Sequence, residues 1–368
     1  MILGGGKIGS VIARLLSATP DYQVTLGDAN ALALQKFERA SGIPTRHLDC
    51  TDVADLRRCL RSHFAVISAL PYHLTASVGH VAAELGVHYF DLTEDVASTR
   101  SIKALAETAS SVLMPQCGLA PGFISIVAHD LAKGFDSLDA VELRVGALPQ
   151  FPSNALKYNL TWSTEGLINE YCRPCEALVN GELTEVPPLE QLEHFSLDGV
   201  EYEAFNTSGG LGTLCETLAG KVNSLNYRSI RYPGHRDLMK LLLEDLKLAD
   251  RQHLLKELFE HALPATQQDV IVVFATVKGW KLGRYLQESY ANKIYAREYA
   301  GQWLSGIQLT TASGVCAVVD MVANGQLPDK GFVRQEQVSL QDFLDNRFGR
   351  NFMNTRSGST PDQHSEVA

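Results

Sequence analysis

GGGKIGSVIARLLSA, residues 4–18, is the stretch that decides the fold. It carries Gly4-x-Gly6-x-x-Gly9, with the apolar Met1-Ile2-Leu3 before it. Behind it Ile8, Val11, Ile12, Leu15 and Leu16 recur at the spacing of one helix face. A strand, a tight turn and a helix are therefore expected. Gly4 permits the turn, Gly6 lets the backbone approach a pyrophosphate, and Gly9 lets helix and strand pack closely. The helix start offers free N–H groups and partial positive charge to phosphates. Gly4, Gly6, Lys7, Ile8 and Gly9 are thus candidate cofactor contacts.

The next strand, at 23–26, runs into Asp28, 19 residues after Gly9. An acid at that distance hydrogen-bonds the adenosine ribose hydroxyls. Its charge repels a 2′-phosphate, and its neighbours Ala29 and Asn30 are not basic. NAD is expected in preference to NADP.

Working outward, apolar runs at 43–48, 65–70, 87–92 and 112–115 alternate with helical patterns at 30–40, 53–61, 74–85 and 102–109. With the first two strands they give an α/β Rossmann domain, a doubly wound parallel sheet of six strands. Right-handed crossovers place every strand's C-terminal end on one rim, where ligands bind. That rim holds Asp49 and Cys50 after the third strand, expected beside the adenine. It holds Ala69, Leu70 and Pro71 after the fourth, expected on the cofactor, then Tyr72 and His73. Asp91 and Glu94 follow the fifth strand, and Gly118 the sixth. Asp91, His73 and Glu94 are the candidate groups for proton transfer.

GLAPGF at 118–123 reads as a rigid bend. Beyond residue 150 the strand–helix rhythm is lost. A helix near 164–171, Pro- and Glu-rich connections at 182–194, helices at 238–248 and 254–263, and a β run at 269–277 suggest a second domain of α+β type. NTSGGLGT at 206–213 lacks the Lys-Ser/Thr of a nucleotide P-loop and is read as a substrate-side or dimer-side turn. The apolar helix at 304–323 is expected to return over the first domain. The expected division is 1–118 plus about 301–350 for the dinucleotide and 119–300 for substrate and oligomerisation, with a polar, disordered tail at 354–368.

The length of 368 residues accommodates two domains. A net charge of −10 argues against nucleic acid or an anionic membrane as partner. No continuous apolar run suggests a membrane span, and the glycine loop at residue 4 leaves no room for a signal peptide. Seven cysteines without framework spacing suggest reduced thiols and a cytoplasmic setting. Cys172-Arg173-Pro174-Cys175 lacks two further zinc ligands nearby, so no metal is expected.

Longer pieces carry a resemblance. They are GGGKIG at 4–9, GVHYFDL at 86–92, GLAPGF at 118–123, GALP at 146–149, LKYNLTWSTEGLINEY at 156–171, VNGELTEVPPLEQLE at 179–193, EAFNTSGGLGTL at 203–214, and SIRYPGH at 229–235 followed by MKLL. On these the chain resembles the saccharopine dehydrogenase superfamily over nearly its whole length, on the L-lysine 6-dehydrogenase side. Glutamate-releasing saccharopine dehydrogenases typically carry Asp in the GLxPG turn, where Ala120 stands here, and tend to be longer. The resemblance implies a Rossmann domain, a central substrate and oligomerisation domain forming a homo-oligomer (a dimer as first expectation), and a nicotinamide cofactor.

The implied chemistry removes hydride from the carbon bearing the ε-nitrogen of a lysine skeleton, and water then releases 2-aminoadipate 6-semialdehyde. The amine must first be neutral, and its ordinary pKa of about 10.4 calls for a base. Arg231 and His235 are candidates for the α-carboxylate, since Arg offers a bidentate fork. Tyr72, Tyr158 and Thr207 are candidates for the substrate pocket. Oxidation of saccharopine with release of glutamate, or of a related opine or carboxypolyamine, is a rival, with Arg173 and Lys157 as hints of further cations. A non-catalytic NAD sensor is the other rival.

Overall fold

Strand β1 (Ile2–Leu3) runs through the middle of a parallel sheet in the computed structural model, which describes residues 1–299 and 301–353. The expected tail, 354–368, lies outside the described residues. The sheet continues through β2 (Leu26–Asp28) and β3 (Thr45–His47) on one side. On the other it runs through β4 (Ala65–Ser68), β5 (His88–Asp91), β6 (Val112–Met114) and a final strand, Gly331–Phe332. The strand order reverses between β1 and β4, the place where doubly wound sheets open a ligand crevice.

The helices between them are α1 (Gly9–Ser17), α2 (Ala31–Ser41), α3 (Val53–Leu60), α4 (Tyr72–Leu85) and α5 (Val96–Ala106). On α1, Val11, Ile12, Leu15 and Leu16 are buried, as their spacing requires. Side chains set the starts of the next helices: Asn30 accepts from Ala33 N, and Asp52 from Ala54 N and Asp55 N. Helix α5 begins well before the expected residue 102, because Asp95 caps it by accepting from Ser98 N.

Helix α6 (Phe123–Ala132) leads into a second, mixed sheet. Its strands are β7 (Ser137–Pro149), β8 (Cys175–Val179), β9 (Glu182–Val186), β10 (Glu193–Leu197), β11 (Val200–Asn206), β12 (Val222–Arg231), β13 (Asp269–Lys281) and β14 (Arg284–Tyr295). The main path is β10-β11-β12-β7-β13-β14, and the β8–β9 hairpin joins at β12. Residues 182–194, expected as connections, instead supply β9 and the start of β10. Their strands lie at the sheet margin with many side chains in water, so apolar periodicity does not reveal them. Between the strands sit α7 (Thr164–Cys172), α8 (Leu214–Leu218), α9 (His235–Lys240) and α10 (Gln252–Ala262). The helix expected at 238–248 breaks after Lys240 into a π-turn over Leu241–Asp245.

After a hairpin of β15 (Arg297–Tyr299) and β16 (Gln302–Leu304), α11 (Gly306–Ala323) packs against α1. Ser305 and Gln308 form a capping box at its start. Its length and apolar composition would also suit a membrane span, but most of it is buried inside the protein. Gly331–Phe332 (β17) then pairs in parallel with β6, and α12 (Leu340–Asp345) follows.

Candidate active site between the two sheets

The glycine loop has the close contacts its sequence requires. Gly4 adopts φ +101°, and a Cβ there would stand 2.5 Å from Ala69 O. A Cβ on Gly9 would stand 1.9 Å from Gly4 O. At Gly6 a Cβ would meet nothing within 4 Å, so open space lies over the loop. No side chain caps the start of α1, and no acid occupies its first turn. A helix N-terminus left this way fits a pyrophosphate. Asp28 lies alongside: Oδ2 accepts from Gly5 N at 2.6 Å and Oδ1 from Asn30 N at 2.7 Å. The residues present therefore fit a dinucleotide.

Across the sheet, the neighbours of Asp28 are not those seen along the chain. In the β2–β3 ladder His47 stands opposite Asp28 and Arg46 opposite Gly27. His47 Nε2 lies 3.0 Å from Ala29 O. Asp49 is exposed and bonded to Thr51 N and Oγ1. Cys50 is buried in the core with Leu48 and Leu56, and burial pushes its thiol up to about 11. The expectation that Cys50 lines the adenine pocket is corrected by that packing.

A cavity of about 660 Å³ joins the loop to the second sheet. Gly6, Lys7, Ile8, Ala69, Leu70, Pro71, Tyr72 and Gly118 line one side, as expected for the rim. Gly4 and Gly9 shape the loop without lining the cavity.

Of the three expected proton-transfer groups, only Glu94 lines it. Burial raises its carboxyl above the ordinary range, with Asp95 and Asp91 adding to the rise. Asp91 is fully buried with all its work internal: it accepts from Tyr89 Oη at 2.6 Å, Thr93 N at 3.0 Å and Gln116 N at 2.8 Å. Burial still lifts Asp91 to about 6 against those bonds. His73 is exposed on α4, away from the cavity, its ring edge-on to Tyr72. The expectation of Asp91 and His73 as bases is thus corrected by position.

The second domain supplies the opposite wall. Arg231, at the end of β12, is buried and lines the cavity. Its Nε donates to Tyr171 Oη at 2.8 Å and its Nη1 to Ile230 O at 2.8 Å. The guanidinium lies over the Tyr158 ring, 5.4 Å from its centroid. Nη2 has no hydrogen-bond partner among the described residues. His235 stands behind: Nε2 is 3.1 Å from Tyr171 Oη, and Nδ1 is 2.8 Å from Leu156 O. Since Leu156 O can only accept, Nδ1 carries the proton and Nε2 accepts from Tyr171. Burial, then Arg231, lowers His235 to about 3, so the ring is neutral. His235 and Tyr158 therefore hold Arg231 in place and do not line the cavity. Thr207 is also one layer back, 2.8 Å from the cavity-lining Ser229 Oγ.

The loop at 206–213 proves to be a joint between the domains. A Cβ on Gly209 would come within 2.9 Å of Glu94, and one on Gly210 within 2.3 Å of the Tyr227 ring. Only glycine lets this backbone lie against both.

Sequence reasoning did not single out Glu170, which also lines the cavity. Its backbone O accepts from Ser208 N, but its carboxyl has no hydrogen-bond partner among the described residues. Burial raises it to about 8; Arg231 pulls it down and Glu94 pushes it up. The available signal was its place on the buried face of α7, with Leu167, Ile168 and Tyr171. Lys256 and Glu165 form an ion pair at 3.4 Å at the half-exposed mouth.

Comparison with known proteins agrees with this arrangement. Residues 1–113 match the model for the saccharopine dehydrogenase NADP binding domain, and residues 118–346 that for the saccharopine dehydrogenase C-terminal domain. The mitochondrial alpha-aminoadipic semialdehyde synthase of Mus musculus is 24% identical over 216 residues, 54% of this chain and 23% of that protein. A saccharopine dehydrogenase (NADP(+), L-glutamate-forming) of Schizosaccharomyces pombe is 24% identical over 202 residues, 52% of this chain and 44% of that protein. The chain thus spans less than half the length of these curated relatives. Apo saccharopine dehydrogenase (L-Glu forming) from Saccharomyces cerevisiae has the same fold, with a TM-score of 0.77 at 17% identity, covering 94% of this chain and 96% of that one.

Proposed function

The chain belongs to the saccharopine dehydrogenase family, and from that premise we propose that it oxidises the carbon bearing the ε-nitrogen of L-lysine, forming 2-aminoadipate 6-semialdehyde and ammonia. One observation carries this choice. The inner cavity offers one buried guanidinium with an open Nη2 and the carboxyl groups of Glu94 and Glu170, while Lys7, Lys256, Glu165 and Glu260 line it from exposed or half-exposed positions. Lysine brings one carboxylate and two amines, which matches. Saccharopine brings three carboxylates and would meet two acids with one buried cation.

A bound nicotinamide supplies the hydride acceptor. The chain's own residues do the rest. The glycine loop and the start of α1 hold the pyrophosphate, and Asp28 holds the ribose. Arg231, fixed by Tyr171, fixes the carboxylate end of the substrate. Glu94, on the rim beside Leu92 and Gly118, takes the proton that the ε-ammonium must lose before hydride can leave. Its raised carboxyl makes it a stronger base than an exposed glutamate.

NAD is read as the preferred cofactor. Asp28 bonds the glycine loop itself at 2.6 Å and sets negative charge where a 2′-phosphate would lie. His47 and Arg46 across the ladder oppose this, as does the name of the matching N-terminal domain model. The homodimer implied by family resemblance belongs to the same proposal, and light scattering tests it.

The relatives' names favour a second reading, oxidation of saccharopine with release of glutamate. Formation of reduced cofactor, followed at 340 nm with L-lysine and saccharopine side by side and with NAD and NADP, decides between them. Lysine turnover with ammonia release supports the first reading. Saccharopine turnover with glutamate release replaces it with the second. Cofactor binding with neither turnover removes both.

A further inference from the structure

Two consecutive residues of α7 act on one corner of the cavity. Ser163 starts the helix by accepting from Gly166 N at 3.1 Å. Leu167, Ile168 and Tyr171 then pack into a cluster with Phe205, Met239 and Phe259. With the helix held this way, Tyr171 reaches Arg231 Nε at 2.8 Å, and Glu170 lines the cavity beside it. Arg231 and Glu170 are both buried and each feels the other's charge. Yet no ion pair joins them, and neither Arg231 Nη2 nor the Glu170 carboxyl has another partner among the described residues. Both residues line the cavity, so a ligand there can supply the partner each lacks. What completes both at once is a group with a carboxylate and an ammonium on one carbon.

We propose that Arg231 and Glu170 together hold the head group of an α-amino acid, Arg231 taking the α-carboxylate and Glu170 the α-ammonium. This rests on the reading of the site as that of a lysine-skeleton dehydrogenase and names which end of the substrate lies where. Glu94, on the wall nearer the glycine loop, is then left for the distal amine.

The charges around Glu170 shape what binding does. Arg231 and Tyr227 face it from β12, Tyr171 from α7, Tyr158 from the preceding loop, Cys175 from β8 and Glu94 from the other domain. In the open cavity Glu170 titrates at about 8, so near pH 7 it is mostly protonated. An arriving α-ammonium favours the carboxylate. Glu170 then gives up its proton to the solvent, and no other bond is made or broken.

The test uses the full chain, with reduced nicotinamide cofactor bound for the titrations, where lysine cannot be oxidised, and oxidised cofactor for turnover. Lysine binding is titrated calorimetrically near pH 7 in two buffers of different ionisation heat, for wild type, Glu170→Gln and Glu94→Gln. Turnover is compared for L-lysine, 6-aminohexanoate (no α-ammonium) and 1,5-diaminopentane (no carboxylate). We expect proton release in wild type and Glu94→Gln, and a substantial loss of it in Glu170→Gln. In wild type, lysine should exceed each analogue at least tenfold in kcat/KM. Glu170→Gln should collapse the gap to 6-aminohexanoate and keep the gap to 1,5-diaminopentane; Arg231→Gln should do the reverse. Glu170→Met repeats the measurement if the glutamine variant melts early. Lysine turnover with an unchanged 6-aminohexanoate gap in both Glu170 variants overturns the head-group assignment and leaves the function standing. If saccharopine alone is turned over, the same variants are read against its analogue lacking the α-amino group. A collapsed gap there keeps the head-group assignment while the lysine reading falls. Binding and turnover of neither compound overturn both.

Discussion

Tyr171 Oη sits between two groups, accepting from Arg231 Nε at 2.8 Å and donating to His235 Nε2 at 3.1 Å. The neutral imidazole is in turn anchored on Leu156 O. The Arg231 guanidinium is thereby oriented from behind by a chain that ends in backbone.

Tyr171→Phe removes one hydroxyl and leaves two buried groups without partners. A buried unpaired group costs about 1–3 kcal/mol. We expect a Tm drop and a fall in kcat/KM for lysine of roughly tenfold or more, carried mostly by KM. A variant with wild-type KM would show that Arg231 does not rely on Tyr171.

Glu170 gives the pH dependence a definite sign. Its folded-state value of about 8 lies above the ordinary 4.5. Between those values the folded chain holds a proton that the unfolded chain has released. The stability from this group is fully present below pH 4.5 and is lost as pH rises toward 8. Asp91, raised to about 6, acts in the same direction over a narrower range. Melting curves across that range should fall less steeply for Glu170→Gln than for wild type; parallel curves would place Glu170 in water.

Asp91→Ala deprives Tyr89 Oη, Thr93 N and Gln116 N of their acceptor at once. Denaturant unfolding should show a loss of about 3 kcal/mol or more. The milder Asp91→Asn keeps one acceptor oxygen, and its folded fraction should retain kcat within about tenfold, the smallest loss usual for removing a general base being nearer a hundredfold. A larger loss in well-folded Asp91→Asn would return this residue to the chemistry.

Asp28→Asn keeps one acceptor oxygen, for Gly5 N or Asn30 N but not both, and removes the charge. The kcat/KM for NADP should rise relative to NAD by roughly tenfold, about 1.4 kcal/mol. The basic residues of β3, His47 and Arg46 (the latter shared with Asp55 at 3.1 Å), then act without the Asp28 charge against them. An unchanged ratio would assign the choice of cofactor to β3.

Much of this site was legible because the glycine spacing, the helix face of α1 and the strand rim follow from local pattern. Topology told which end of β5 faces the crevice, but not which way each side chain points. Asp91 lies two residues from Tyr89, on the same strand face, and so bonds it inside the core. Glu94, beyond the strand, reaches the cavity. His47 escaped notice because parallel pairing brings it to Asp28 from 19 residues away. Glu170 escaped because a glutamate on a helix usually means a wet face, and only the packing of α7 shows otherwise.

The final strand of the first sheet, Gly331–Phe332, and the helix that covers α1 are both made after the whole second domain. During synthesis the nucleotide-binding half must wait, its flank on α1 bare, while roughly two hundred further residues emerge. At about 5–20 residues per second that is a delay of ten seconds or more. The first domain has therefore to complete itself around its neighbour, and a fragment cut after residue 118 should aggregate more readily than the full chain.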